Sequence, residues 1–182
     1  TKPGSIPAKA TSALAFNVNL PTSDNAINTS GSPFSYTDPT TYNEATTTTI
    51  YDSLGHGLNL TSYFTRVSGS GAPDNWASHY VVTDPSGNFI ASGAGPTLAF
   101  NSSGQLTSGS GSTSAITGLT DGAASMTIAL NFKGTTLSSS GFGVSSVSNN
   151  GNAGGQFSGI AISANGEVVG QYTNGSTEVF GT

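Results

Sequence analysis

Apolar residues in this chain recur at every second position, and nowhere at i, i+3, i+4 and i+7 over a usable length. That is the pattern of half-buried strands and not of helices. The clearest instance is Met126, Ile128, Leu130 and Phe132, predicted as a central core strand. Leu14, Phe16, Val18 and Leu20 make a second, ended by Pro21, a residue that sheets accept only at edges and strand ends. Thr46 to Asp52 and the run through Leu58, Leu60, Tyr63, Phe64 and Val67 read as a hairpin about Ser53, Leu54 and Gly55. Trp76, Ser78, Tyr80 and Val82 share one face of the next strand, which turns at Asp84–Asn88 and returns through Phe89 and Ile90. Leu98 and Phe100 precede a turn at Asn101–Gly104 that returns through Leu106.

Asn165-Gly166 and Asn174-Gly175 separate three further runs between Phe157 and Phe180. Asn-Gly suits two-residue hairpin turns, where both central residues need positive φ, so a three-stranded meander is predicted. Thr22 to Thr41 reads as a long loop. Thr107 to Ser114, almost entirely Ser, Gly and Thr, has nothing to bury and is expected to be an exposed loop. About nine or ten short strands at this spacing predict an all-β fold, an antiparallel sandwich or partly closed β-barrel. Long Ser/Thr/Gly-rich loops and essentially no helix beyond a single turn go with it. One β-rich domain over 1–182 is expected, with terminal segments 1–20 and 140–182 pairing around a central insert.

Charged residues are only 7% of the 182, against roughly 25% in an average soluble protein. Aromatic residues at 9% and a net charge of −5 argue for a folded chain, since disordered segments combine few aromatics with high charge. The four basic residues, Lys2, Lys9, Arg66 and Lys133, are dispersed and cannot form the positive surface that nucleic acid requires. No apolar run approaches the roughly 20 residues that span a bilayer, so no membrane segment is expected. With no cysteine, disulfides, thiolate catalysis and cysteine metal sites are excluded.

Candidate chemistry is sparse. His56 falls in a turn and His79 on the polar face of a strand, and both read as surface histidines because a metal site needs three or four convergent ligands. Asp24, Asp38, Asp74, Asp84, Asp121 and Glu167 sit beside Gly, Pro or Asn, where carboxylates cap their own turns. Asp84–Asn88 lacks the alternating oxygens and closing Glu of a calcium loop. Gly109-Ser110-Gly111 lies in low-complexity sequence and makes no nucleophile elbow. Asn-x-Ser/Thr tripeptides at Asn28, Asn59, Asn101 and Asn174 are expected by chance in so Asn/Ser/Thr-rich a chain. No enzyme and no cofactor are predicted. An alternative reading is a carbohydrate-binding or adhesive surface β-sandwich with Trp76, Tyr80 and Tyr63 as a sugar-stacking platform.

Several segments, in order, resemble the bacterial flagellar hook protein family at its outward-facing second domain. They are IPAKATSALAFNVNL (6 to 20), DPTTYNEATTTTIYDSLG (38 to 55) with Tyr42, Tyr51, Asp52 and Gly55, and LTSYFTRV (60 to 67) with Tyr63 and Phe64. NWASHYVV (75 to 82) opens on Trp76, and LAFNSSGQLTSG (98 to 109) carries Leu98 and Phe100. The stretch 146 to 181 carries Asn165, Gly166, Tyr172, Asn174 and Gly175. The resemblance implies an extracellular structural subunit of the hook, the curved tube that acts as a universal joint in motility. Its expected partners are other hook subunits and the hook-capping protein during assembly, after export through the flagellar secretion apparatus. The family's helical terminal segments do not occur here, so the chain reads as an excised fragment that is monomeric alone. The crosslink that some members form through a cysteine is impossible in it.

Overall fold

A computed structural model describes residues 4–67 and 75–181. Its strands are β1 Ala13–Pro21, β2 Glu44–Tyr51, β3 Gly57–Arg66, β4 Asn75–Thr83, β5 Phe89–Ala94, β6 Leu98–Phe100 and β7 Leu106–Ser108. There follow β8 Ser110–Ser112, β9 Ala129–Asn131, β10 Thr136–Ser138, β11 Gly143–Asn149, β12 Phe157–Ile162, β13 Val168–Tyr172 and β14 Thr177–Gly181. Two single 3-10 turns, Pro39–Thr41 and Thr120–Gly122, are the helical elements among the described residues. The all-β architecture holds. The strands are more numerous than the sequence predicts because several are only three residues long.

The first sheet runs β2-β3-β4-β6-β7, with β5 also on β4. In the second, β1 pairs antiparallel with β11 on one side and parallel with both β9 and β10 on the other. The parallel pairs were not expected. They arise because the chain does not reverse between β9 and β10: the tight turn closed by Thr135 N to Phe132 O shifts it along β1 instead.

Alternation decides what each strand buries. Leu14, Phe16, Val18 and Leu20 point inward from β1, and Leu14 lies beside Leu130 in the parallel register. The Phe16 and Phe132 rings stack at 5.2 Å. From the facing sheet come Ile50, Leu58, Leu60, Phe64, Trp76, Tyr80, Val82, Leu98 and Phe100, completing one core. Fully burying each such side chain is worth about 1.5–3 kcal/mol.

The two sheets curl into a partly closed barrel, joined differently at each side. On one side β7 and β8 form a single bent run through Gly109 that passes from β6 to β9. The segment expected to be a loop is therefore strand, and its composition explains why. A Cβ on Gly109 would lie 2.7 Å from Leu106 Cδ2, and one on Gly111 would press Pro96 at 3.2 Å, so absence of side chains lets the backbone close the corner. On the other side β11 approaches β2 with a side-chain bond instead of a ladder: Asn149 Nδ2 donates to Thr49 O at 3.0 Å. The segment leading into β1 closes the same side, where Tyr51 N donates to Thr11 Oγ1 at 2.9 Å and Thr11 N donates to Tyr51 O at 2.8 Å.

The meander β12-β13-β14 forms as predicted, but it stands outside the common core. It is tied to the segment before it through Asn174 Nδ2, which donates to Ala153 O at 2.8 Å. One face exposes Ile160 at 61% and Ile162 at 76%, together with Phe180.

Candidate functional site

Five hairpins use one turn design. The first and fourth residues of Asp52–Gly55, Asp84–Gly87, Asn101–Gly104, Ser163–Gly166 and Tyr172–Gly175 are joined by a hydrogen bond from the glycine N–H to the first residue's carbonyl. In each the glycine carries positive φ, from 72° to 89°, the three-residue loop with a terminal left-handed residue that follows two-residue turns in frequency. The Asn-Gly pairs thus close three-residue loops, not the two-residue turns expected of them: Asn165 and Asn174 are the second of two central residues, and the glycine follows.

The opening residue finishes the turn. Asp52 Oδ1 accepts from Leu54 N and His56 N at 2.8 and 2.9 Å, Asp84 Oδ1 from Ser86 N and Asn88 N at 2.8 Å, and Asn101 Oδ1 from Ser103 N and Gln105 N at 3.0 Å. Asp52 is the buried member. Burial raises its pKa, but the amide and ring hydrogen bonds from His56 and that from Leu54 outweigh it, and the net shift is downward. His56 Nδ1 lies 3.0 Å from Asp52 Oδ2. Gly55, at the end of the same loop, abuts Ala8 and the backbone of Gly154, so the corner at Tyr51, Asp52 and Gly55 clamps two distant segments.

Of the other positions, Phe64, Trp76, Leu98 and Phe100 are core. Trp76 and Tyr80 are 0% and 1% exposed, while Tyr63 faces outward opposite His79, so these three rings do not form a common surface and the sugar platform is not built. Tyr63 instead joins a cluster that the sequence did not announce. Phe34, from the 22–41 loop, lies 5.2 Å from Tyr63 and stacks on the His79 ring at 4.2 Å, and Tyr42 packs on Tyr63 at 4.8 Å. Arg66 Nη1 anchors the loop by donating to Thr22 O and Asp24 O at 3.0 and 2.7 Å. His79 is therefore half-buried under a strap and not a surface histidine, and burial pushes its pKa down. In the meander, Tyr172 is buried and its hydroxyl donates to Glu178 Oε2 at 2.8 Å.

Among the described residues no three His, Asp or Glu side chains come together as a metal site. A surface depression of about 320 Å³ gathers His56, Asp84 and Ile90, but the Asp84 oxygens are committed to Ser86 and Asn88. Asp74 lies outside the described residues.

What this geometry defines is a scaffold domain of the all-β class, in which polar side chains hold the backbone in shape. Its family follows from comparison with known proteins. The flagellar basal body protein FlaE D2 domain matches residues 17–152, from within β1 to just past β11, and the chain belongs to that family. The chain is also 31% identical over 176 residues to the flagellar hook protein FlgE of Salmonella typhimurium, and 30% over 175 residues to that of Escherichia coli. Each match covers 96% of this chain, which spans 42% of those relatives' length. The crystal structure of Helicobacter pylori flagellar hook protein FlgE2 shares the fold over 75% of this chain and 31% of its own, with a TM-score of 0.56 at 19% identity.

Proposed function

We propose that this chain is the outer part of a flagellar hook subunit, and that it works by packing beside copies of itself and not by catalysis or cofactor binding. The observation that carries the reading is the family match over 17–152, which coincides with the barrel. A tube that bends as it turns changes the spacing of neighbouring outer domains at every rotation, so their contacts must be individually weak and able to re-form. A surface poor in charge and rich in hydroxyls and amides makes short-range contacts of that kind and few long-range ones. In this reading the 182 residues act as one body, with 1–20 and 140–182 pairing around the rest. The full subunit is exported, takes its place outside the cell beneath the capping protein, and meets other hook subunits. Tyr42, Tyr51, Asp52, Gly55, Tyr63, Phe64, Trp76, Leu98, Phe100, Asn165, Gly166, Tyr172, Asn174 and Gly175 serve as structural positions that hold its shape.

Motility in a strain whose own hook gene carries the changes tests the reading. Replacing the carboxylates Asp38, Asp84, Glu167 and Glu178 one at a time should leave swimming intact, because none has a chemical task. Loss of swimming with a hook still assembled would point to a specific binding or catalytic role.

A further inference from the structure

The sequence holds three Asn-Gly pairs, at Asn150, Asn165 and Asn174. This is the dipeptide in which a side-chain amide is most easily attacked by the next backbone nitrogen, because glycine offers no steric barrier. The structure treats the three very differently. Asn150 Oδ1 accepts from Ser12 N and Ala13 N, both at 3.0 Å, while Nδ2 donates to Ser12 Oγ at 2.9 Å. Asn174 Nδ2 donates to Ala153 O at 2.8 Å, and its Oδ1 accepts from Ser176 N at 3.0 Å. Asn165 is exposed at the tip between β12 and β13, and its side chain has no hydrogen bond among the described residues. The backbones of the last two loops match: Gly166 N donates to Ser163 O and Gly175 N to Tyr172 O, each at 3.0 Å. The commitment of the attacking nitrogen is therefore equal, and the freedom of the side chain is what differs.

We propose that Asn165 is a site of spontaneous deamidation in the folded chain, and that Asn150 and Asn174 are protected from it. Gly166 N attacks Asn165 Cγ; the new C–N bond closes a succinimide as the Cγ–Nδ2 bond breaks, and the nitrogen leaves as ammonia carrying the proton from Gly166 N. Water then opens the ring at either carbonyl, giving aspartate or isoaspartate. Both add a negative charge to the tip, and isoaspartate also lengthens the main chain inside the loop that sets the Ser163–Glu167 pairing. Ageing thus loosens the meander at one defined end.

The test is peptide mapping of the 182-residue chain, its β signature verified by circular dichroism, after incubation in mildly alkaline buffer made with oxygen-18 water. A parallel sample is held in urea. Mass gain with heavy-oxygen uptake should appear at Asn165 at least about tenfold faster than at Asn174, the factor that freeing two modest side-chain hydrogen bonds imposes, and more slowly still at Asn150. In urea the three rates should converge. Equal rates at the three sites in the folded chain, or Asn150 or Asn174 leading, would overturn the proposal. So would an N165Q variant that still gains the same mass in the same peptide.

Discussion

At the scale of single residues, the recurring turn separates two costs that usually travel together. Gly55 and Gly87 hold nearly the same positive φ, 87° and 89°. A Cβ at Gly87 would meet nothing within 4 Å, whereas at Gly55 it would lie 2.8 Å from Ala8 Cβ and 3.1 Å from the Gly154 nitrogen. Gly87→Ala should therefore cost only the backbone term, about 1–2 kcal/mol, and Gly55→Ala measurably more, as urea unfolding of the two variants would read. Asp52 makes a second prediction. Asp52→Ala leaves the Leu54 and His56 amides without their charged acceptor and should cost about 1–3 kcal/mol in all, while Asp52→Asn keeps an acceptor oxygen and should cost less. The pH dependence has a definite sign. A carboxyl whose folded pKa lies below its unfolded one contributes fully above the unfolded value and loses that contribution as pH falls through the folded value. The stability gap between the native chain and Asp52→Asn should narrow in acid below the ordinary carboxylate range; a gap that is constant or widens would contradict the downward shift.

At the scale of elements, the Gly109 corner carries the passage from one sheet to the other. Gly109→Ala should destabilise by about 1–3 kcal/mol through overpacking against Leu106 and Leu98, while Gly141→Ala, with nothing within 4 Å, should stay within about 0.5 kcal/mol. Thermal denaturation of the pair distinguishes a corner from a loop, since a loop would tolerate both. The same corner shows what sequence can and cannot reveal. Strands that bury large side chains, such as β1, β3 and β4, were legible because burial writes itself into period two. The β7–β8 run was not, because its contribution is backbone pairing and the absence of side chains, which reads as loop. The core strand expected across Met126 to Phe132 shortens to β9, with Met126 bridged to Ile116 instead. The outer cluster was hidden for a different reason: Phe34 reaches Tyr63 and His79 only through the path of a long loop, and no local pattern records that meeting. Conversely, the turn glycines are plain in the sequence, but the loops are one residue longer than the Asn-Gly pairs imply, because Asn-Gly fits both designs.

At the scale of the whole molecule, the barrel has one shared core and a meander fastened beside it, and few charges anywhere to attract a partner from a distance. The isolated chain is expected to sediment as a monomer at micromolar concentration. The apolar face with Ile160, Ile162 and Phe180 is where that expectation is most exposed, so a stable dimer abolished by Ile162→Lys would show that the meander assembles on its own. The proposed place of this domain in an assembly is directly measurable. Its most direct test is an electron cryomicroscopy map of hooks built from the protein that carries this chain. The barrel should fit as a single body on the outside of the tube, with neighbouring copies meeting through uncharged side chains at separations that vary around the bend. A map that placed the barrel in the inner wall, or linked neighbours through fixed ion pairs at constant spacing, would contradict it.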